Sequence, residues 1–275
     1  IQATADGSIQ SRVFKVSGGD VSISNVTIKN GRPPDEPETD GGKGGGIYMS
    51  SGSLTLSNST VTSNATPTSA KGGGIYVGNG TLNVIASSIN GNTAWGGGGI
   101  HNSGTLYLDR TTVSSNHATL TSGGGGISTR GGSATLNNTT VTGNTAGHAA
   151  GGIFSTEGSN LTITNSTISN NTSEHNGGGI YNSGGTLTVS NTLVIGNSVT
   201  WTYADGSAGS STGGGGRMGY GTNTITDSTI TGNFAGSGGG GLSYYPNTGS
   251  TLTLVNTSVI GNSAPSGYKQ DCLGC

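Results

Sequence analysis

The stretch GGGIYNSGGTLTVSNTLVIGN, residues 177–197, decides how the chain is read. Ile180 opens a short apolar segment behind three glycines. Leu187 and Val189 alternate with Thr and Ser, the period of a strand with one buried face, and Val194 marks a third short strand. Between these lie Asn-Ser-Gly-Gly, Ser-Asn and Gly-Asn, residue types that accept left-handed backbone at tight turns. Three short strands separated by three turns match one coil of a parallel β-helix.

The unit recurs along the chain, and the recurrence settles the architecture. An apolar-x-apolar-x-Asn-x-x-apolar-x-x-Asn pattern reads VSISNVTIKNG at 21–31, LTLSNSTVTSN at 54–64 and LNVIASSINGN at 82–92. It continues through six further copies to LTLVNTSVIGN at 252–262. Paired glycines and an apolar residue precede most copies, with Ile47, Ile75, Ile100, Ile127, Ile153, Ile180 and Leu242 behind the glycines. GGGGRM at 213–218 is the irregular member. Closing asparagines stand at 64, 92, 116, 144, 171, 197, 233 and 262, a period of 24 to 29 with one step of 36.

The expected fold is therefore all-β: a single right-handed parallel β-helix of about nine coils, each of three short strands. It forms one domain over residues 1–275, with loop insertions at 31–43 and 198–212. Stacked strands spaced at about 4.8 Å give a rod of roughly 43 Å. The usual handedness of parallel crossovers supplies the right hand. The column Asn25, Asn58, Asn138, Asn165, Asn191 and Asn256 is expected to form a structural ladder at one turn, with Asp227 replacing it once and Ala86 and Arg110 breaking it.

Composition agrees. Gly numbers 56, hydrophobic residues are 29%, aromatics 5% and charged residues 8%. A narrow coil interior needs only a file of Ile, Leu and Val, and outward positions go to Thr, Ser and Asn. The net charge of −2, from 10 basic and 12 acidic residues, lacks the footprint of a nucleic-acid binder. No apolar run reaches the roughly 18 residues of a membrane helix, so membrane insertion is not expected. The start at Ile1, with no initiator Met or signal-like segment, reads as a processed or excised piece.

GGGI followed by V/I-x-x-N resembles the GGA(I/L/V) and FxxN repeats of chlamydial polymorphic membrane proteins. It is similar also to autotransporter-passenger-like adhesins and to Gly-Asn-rich right-handed β-helix domains of secreted or cell-surface bacterial proteins. The resemblance covers nearly the whole chain and implies the fold. Its implication for function is broad, since such domains serve as adhesins, stalks and polymer-active enzymes. It also implies a bacterial, extracellular or cell-surface location.

Several departures from the repeat are candidate sites. Asp35, Glu36, Glu38 and Asp40 crowd one loop and are a weak candidate for Ca²⁺, set against a plain solvated loop stiffened by prolines. No other cofactor is expected. The insertion carries Trp201 and Tyr203, which face a glycan or partner, or else tuck down as a lid. The residues after the glycine-apolar unit, Tyr48, Tyr76, His101, Phe154 and Tyr181, are expected to line up as an exposed aromatic strip. Lateral packing, glycan contact and simple self-stacking all fit such a strip. The acids fall in different repeat columns and the four histidines are scattered, so no catalytic residue is assigned. Cys272 and Cys275 are expected to form a short-loop disulfide or bonds to another subunit.

The functional expectation is an extracellular structural or surface protein: a filament subunit, stalk or adhesin segment that stacks end to end with copies of itself or other β-helix subunits. The alternative is a polysaccharide-binding or polysaccharide-cleaving β-helix module. Without a catalytic set, the first reading treats the chain as no enzyme.

Overall fold

The computed structural model describes residues 11–34, 37–119, 123–156, 158–200, 212–246, 248–265 and 269–274. Among them every strand pairing is parallel and joins a strand to its counterpart one repeat away. Alternation in sequence becomes alternation in burial. In Thr186–Ser190, Leu187 and Val189 point inward and Thr188 outward. In Ile180–Asn182 the outward position falls to Tyr181.

The strands make three parallel sheets. A sheet of 17 strands holds two columns side by side, the glycine-apolar segments and the longer alternating segments. They are joined where Phe14–Ser24 and Ile47–Ser57 each run through both. A second sheet stacks nine strands, from Thr27–Lys29 to Ser258–Ile260. A third holds six two-residue strands, from Thr93–Ala94 to Phe234–Ala235. The three strands that the sequence placed in each coil, the glycine-apolar segment, the alternating segment and the short strand after it, stack through nine levels, and six levels add a fourth, two-residue strand among the described residues. At two further levels a single residue pairs at that corner, Ala65 with Thr93 and Ser263 with Phe234.

The core is one file of Ile, Leu, Val and Met from Val16 to Leu242. Where the irregular repeat puts Gly216 in place of an isoleucine, the Met218 methyl fills the space. A Cβ on Gly216 would stand 2.7 Å from Met218 Cε.

Two polar ladders run beside this file. The turn column has left-handed backbone at Asn25, Asn58, Asn138, Asn165, Asn191 and Asn256, and equally at Ala86, Arg110 and Asp227. Its amides bond outside the coil, Asn191 Nδ2 to Asn165 Oδ1 at 2.7 Å and Asn256 Nδ2 to Asp227 Oδ1 at 3.1 Å. The closing asparagines form the second ladder, and it is buried. From Asn64 to Asn233, each donates its backbone N–H and its Nδ2–H to Oδ1 of the closing Asn in the next coil, at 2.9–3.1 Å. Each Nδ2 also reaches a carbonyl of the previous coil, as Asn144 Nδ2 does to Val113 O at 3.0 Å. The 36-residue step does not interrupt it, since Asn197 still bonds Asn233 at 2.9 and 3.0 Å.

The ladder begins where Gly31 takes the Asn place and donates its N–H to Asn64 Oδ1. It ends on a carboxylate, with Asp271 Oδ1 accepting both donors of Asn262 at 3.1 Å. Beyond it, Cys272–Leu273 pairs with Leu242–Ser243, the place that the next glycine-apolar strand would occupy. Cys272 is disulfide-bonded, and Cys275 lies outside the described residues. Among the described residues no strand follows Thr251–Val255 or Ser258–Ile260, and Val255 and Ile260 are exposed there.

Candidate functional site: an aromatic column under a row of cations

The outward position behind the glycine-apolar unit is held in register by strand pairing through nine levels. Lys15 lies beside Tyr48, then follow Tyr76, His101, Ser128, Phe154, Tyr181, Arg217 and Ser243. The rings stack along the helix axis. Tyr48 and Tyr76 have centroids 5.5 Å apart and planes within 20°; Tyr76 and His101 are 5.1 Å apart and within 15°. Phe154 and Tyr181 form a tilted pair at 5.4 Å.

This geometry corrects the expectation of an exposed strip. Tyr48, His101 and Phe154 are only 9%, 2% and 8% exposed. Tyr48, Tyr76 and His101 turn their faces to one another, Phe154 meets Tyr181 at 54°, and Tyr76 and Tyr181 remain half-buried. Self-stacking accounts for the column.

Cations cover what remains. The Arg12 guanidinium stands 4.8 Å from the Tyr48 centroid and the Lys15 ammonium 5.6 Å. Lys43 lies over Tyr76 at 5.4 Å, Lys71 over Trp95 at 6.0 Å and Arg130 over Phe154 at 4.9 Å. Arg217 lies over Tyr181 at 5.4 Å and donates to Asn176 Oδ1. Six of the ten basic residues of the chain thus line one face of the rod. Ring quadrupoles attract such cations, and packing against the rings limits their motion.

Electrostatics follow from this crowding. Burial, then the charges of Lys71, Arg130 and Lys43, push His101 down to about 3, so it is neutral at physiological pH. Its Nδ1 is buried with no hydrogen-bond partner. Lys71 is itself lowered, first by burial and then by Arg130 and Lys43. Farther along the rod His148 lies 4.7 Å from His175 and is lowered by burial and by its neighbour.

At the N-terminal end of the row Asp40 bonds Arg12 and Lys15, each at 2.9 Å. Burial works to raise its pKa, but bonds from Lys15, Arg12 and Tyr48 hold the carboxyl below its ordinary value. Asp40 is thus engaged by cations of the chain itself. Asp35 and Glu36 lie outside the described residues, as does the Glu38 side chain, and among the described residues no three ligand-type side chains gather for a metal. Trp201 and Tyr203 also lie outside the described residues.

Sequence reading placed the aromatic column but missed the cation row and the buried Asn ladder. The closing asparagines were visible as the most regular polar position of the repeat. The cations come from several repeat columns: Lys43 and Lys71 precede their glycines, Arg130 follows its strand, and Lys15 and Arg217 sit in the aromatic column itself.

Neither a curated protein nor a solved structure gives a significant match to this sequence. A family model described as a right-handed β-helix region matches residues 45–270, most of the described coils. Parallel pairing in all three sheets, the single apolar file and that match agree: the chain belongs to the right-handed β-helix family.

Proposed function

We propose that the chain is a structural module of an extracellular or cell-surface protein, a stiff rod serving as a stalk or adhesin segment. The observation that supports this reading is the continuity of the buried ladder from Asn64 to Asn262. Each rung places two donors on one oxygen of the next coil, so neighbouring coils resist sliding and bending at every level. Such reinforcement suits a part that holds distance or presents a surface.

The test uses antibody against the chain on intact and permeabilised producing cells, with purified chain assayed in parallel on plant and bacterial glycans. Labelling of intact cells without release of reducing or unsaturated sugar ends is the expected result. Labelling only after permeabilisation, or steady product release, overturns the reading.

End-to-end assembly is the second reading, favoured by the exposed Val255 and Ile260 of Thr251–Val255 and Ser258–Ile260, on which no strand stacks among the described residues. Its geometry is constrained. Cys272–Leu273 already fills the position on which Phe14–Lys15 of a following copy would seat. Stacking therefore requires one of these two segments to move aside.

A further inference from the structure

The alternating strands of the 17-stranded sheet carry an outward face apart from the aromatic column. From Ser133–Asn137 to Thr251–Val255, five consecutive strands pair in parallel with no shift of register, and three positions of each point outward. The middle one is threonine at every level: Thr135, Thr162, Thr188, Thr224 and Thr253. Thr186, Thr222 and Thr251 line up on one side of this file, and Thr164 and Thr226 on the other. None of the outward positions in these five strands is charged. Strand preference alone does not produce the block, because the same file nearer the N-terminus reads Ser22, Thr55, Asn83 and Tyr107. Tyr107, 46% exposed, pairs with Thr135 and stands at its border.

These threonines form a two-dimensional net. Levels repeat at about 4.8 Å along the rod, and alternate residues of one strand at roughly 6.6 Å across it. Threonine is stiff about χ1, so each hydroxyl and methyl keeps its place on the pleat. Thr164 donates to Asn137 Oδ1 at 3.1 Å, whereas the hydroxyls of the middle file make no hydrogen bond to the protein among the described residues. The buried asparagine ladder spans the same five levels, from Asn144 to Asn262. Side-chain ladders of this kind hold stacked strands flat against their usual twist. We propose that this threonine face binds ice, with its hydroxyl net seated on the ordered water of the crystal surface. The proposal goes beyond the rod reading and stands without it, because adsorption needs only the face.

Three features select ice over other partners. Water oxygens on the prism faces of hexagonal ice repeat in a rectangular net of similar dimensions, so hydroxyls at successive levels meet successive lattice waters. Each contact is weak, and many in one fixed plane act together. The face is neutral, without the cations that would hold a nucleic acid or an anionic lipid surface. It also carries no aromatic ring on which a sugar would stack, since Tyr107 lies outside the block. Beside each hydroxyl the threonine methyl adds apolar area that gains by leaving liquid water.

The test is partitioning of the full purified chain into a slowly growing ice hemisphere, with serum albumin as the excluded reference, alongside microscopy of single ice crystals below their melting point. The parent is expected to enrich in the ice, to shape the crystals and to hold back their growth. Tyrosine keeps strand preference but stands above the plane, so T188Y/T224Y is expected to fold and to lose enrichment by on the order of tenfold. S22Y/T55Y makes the same change in the same file outside the block and is expected to stay within about twofold of the parent. Melting curves check the fold of both, and the single variant T188Y gives a milder form that is also expected to enrich less. Exclusion of the parent from ice, or equal loss in the two double variants, would overturn the proposal. Adsorption to microcrystalline cellulose that T188Y/T224Y weakens as much would reassign the face to a crystalline polysaccharide and overturn it too. So would a dimer of the parent in sedimentation that T188Y/T224Y dissociates, which would make the face a contact between copies.

Discussion

Asn116 lies directly against Gly99: a Cβ on that glycine would stand 3.0 Å from Asn116 Nδ2 and 2.6 Å from the Gly126 carbonyl oxygen. The two sequence signatures of the repeat, paired glycines and closing asparagine, are thus the two halves of one contact. The ladder amide occupies the space that any side chain at the glycine would need. Gly99→Ala is expected to cost about 3 kcal/mol, read as a lower denaturant midpoint with an unchanged slope. A loss below about 0.5 kcal/mol would show that the backbone relaxes freely there.

The buried ladder should matter more than the exposed one. Asn144→Ala strips Asn116 of the oxygen that accepts its two donors and leaves Val113 O without its amide partner. We expect a loss of about 3 kcal/mol. Asn191→Ala removes an exposed bond and puts alanine in left-handed backbone, at φ 47°, for a loss of about 1 kcal/mol. Chemical denaturation of both variants measures the order; equal losses would contradict it.

Ala86 is exposed and holds a φ of 48° at a turn where asparagine is the usual residue. Ala86→Asn is expected to stabilise by about 0.5–1 kcal/mol, because asparagine tolerates this conformation better. A lowered melting temperature would show that the turn is set by something other than local backbone preference.

The fold was legible because the coil is short and repeats itself. Ile180, Leu187, Val189 and Val194 recur with the same spacing in copy after copy, and a β-helix has no other place for them. The turn column was legible for a local reason, the left-handed preference of asparagine. Burial of the closing asparagines was not, since sequence marks a polar residue at a turn without showing which side of the coil it faces. Alternation correctly placed Tyr48, Tyr76 and His101 on one line. Tyr48 and His101 are nonetheless buried, because strand period describes direction from the sheet and says nothing of rings covering one another. The cation row was hidden because long side chains reach the same face from different sequence offsets. Lys43 and Arg130 belong to different parts of their coils and still meet the same column.

Acid should weaken the fold through His101. Its folded-state value of about 3 lies below the ordinary 6.5, so the unfolded chain binds the extra proton. Its contribution is present above pH 6.5 and is lost as pH falls toward 3, with a slope of up to about 1.4 kcal/mol per pH unit. His148 is shifted the same way and adds to the loss. Melting curves from pH 7 to 4 should show a shallower decline for His101→Gln than for the parent. Parallel curves would remove His101 from the account.

One buried asparagine ladder ties the coils into a single rod. Side-chain amide hydrogen exchange, followed by NMR, tests it most directly. The Nδ2 protons of Asn92, Asn116, Asn144, Asn171 and Asn197 should exchange only with global unfolding, while those of the exposed Asn138 and Asn191 exchange at once. Ladder amides that exchange as fast as the exposed ones would contradict the account.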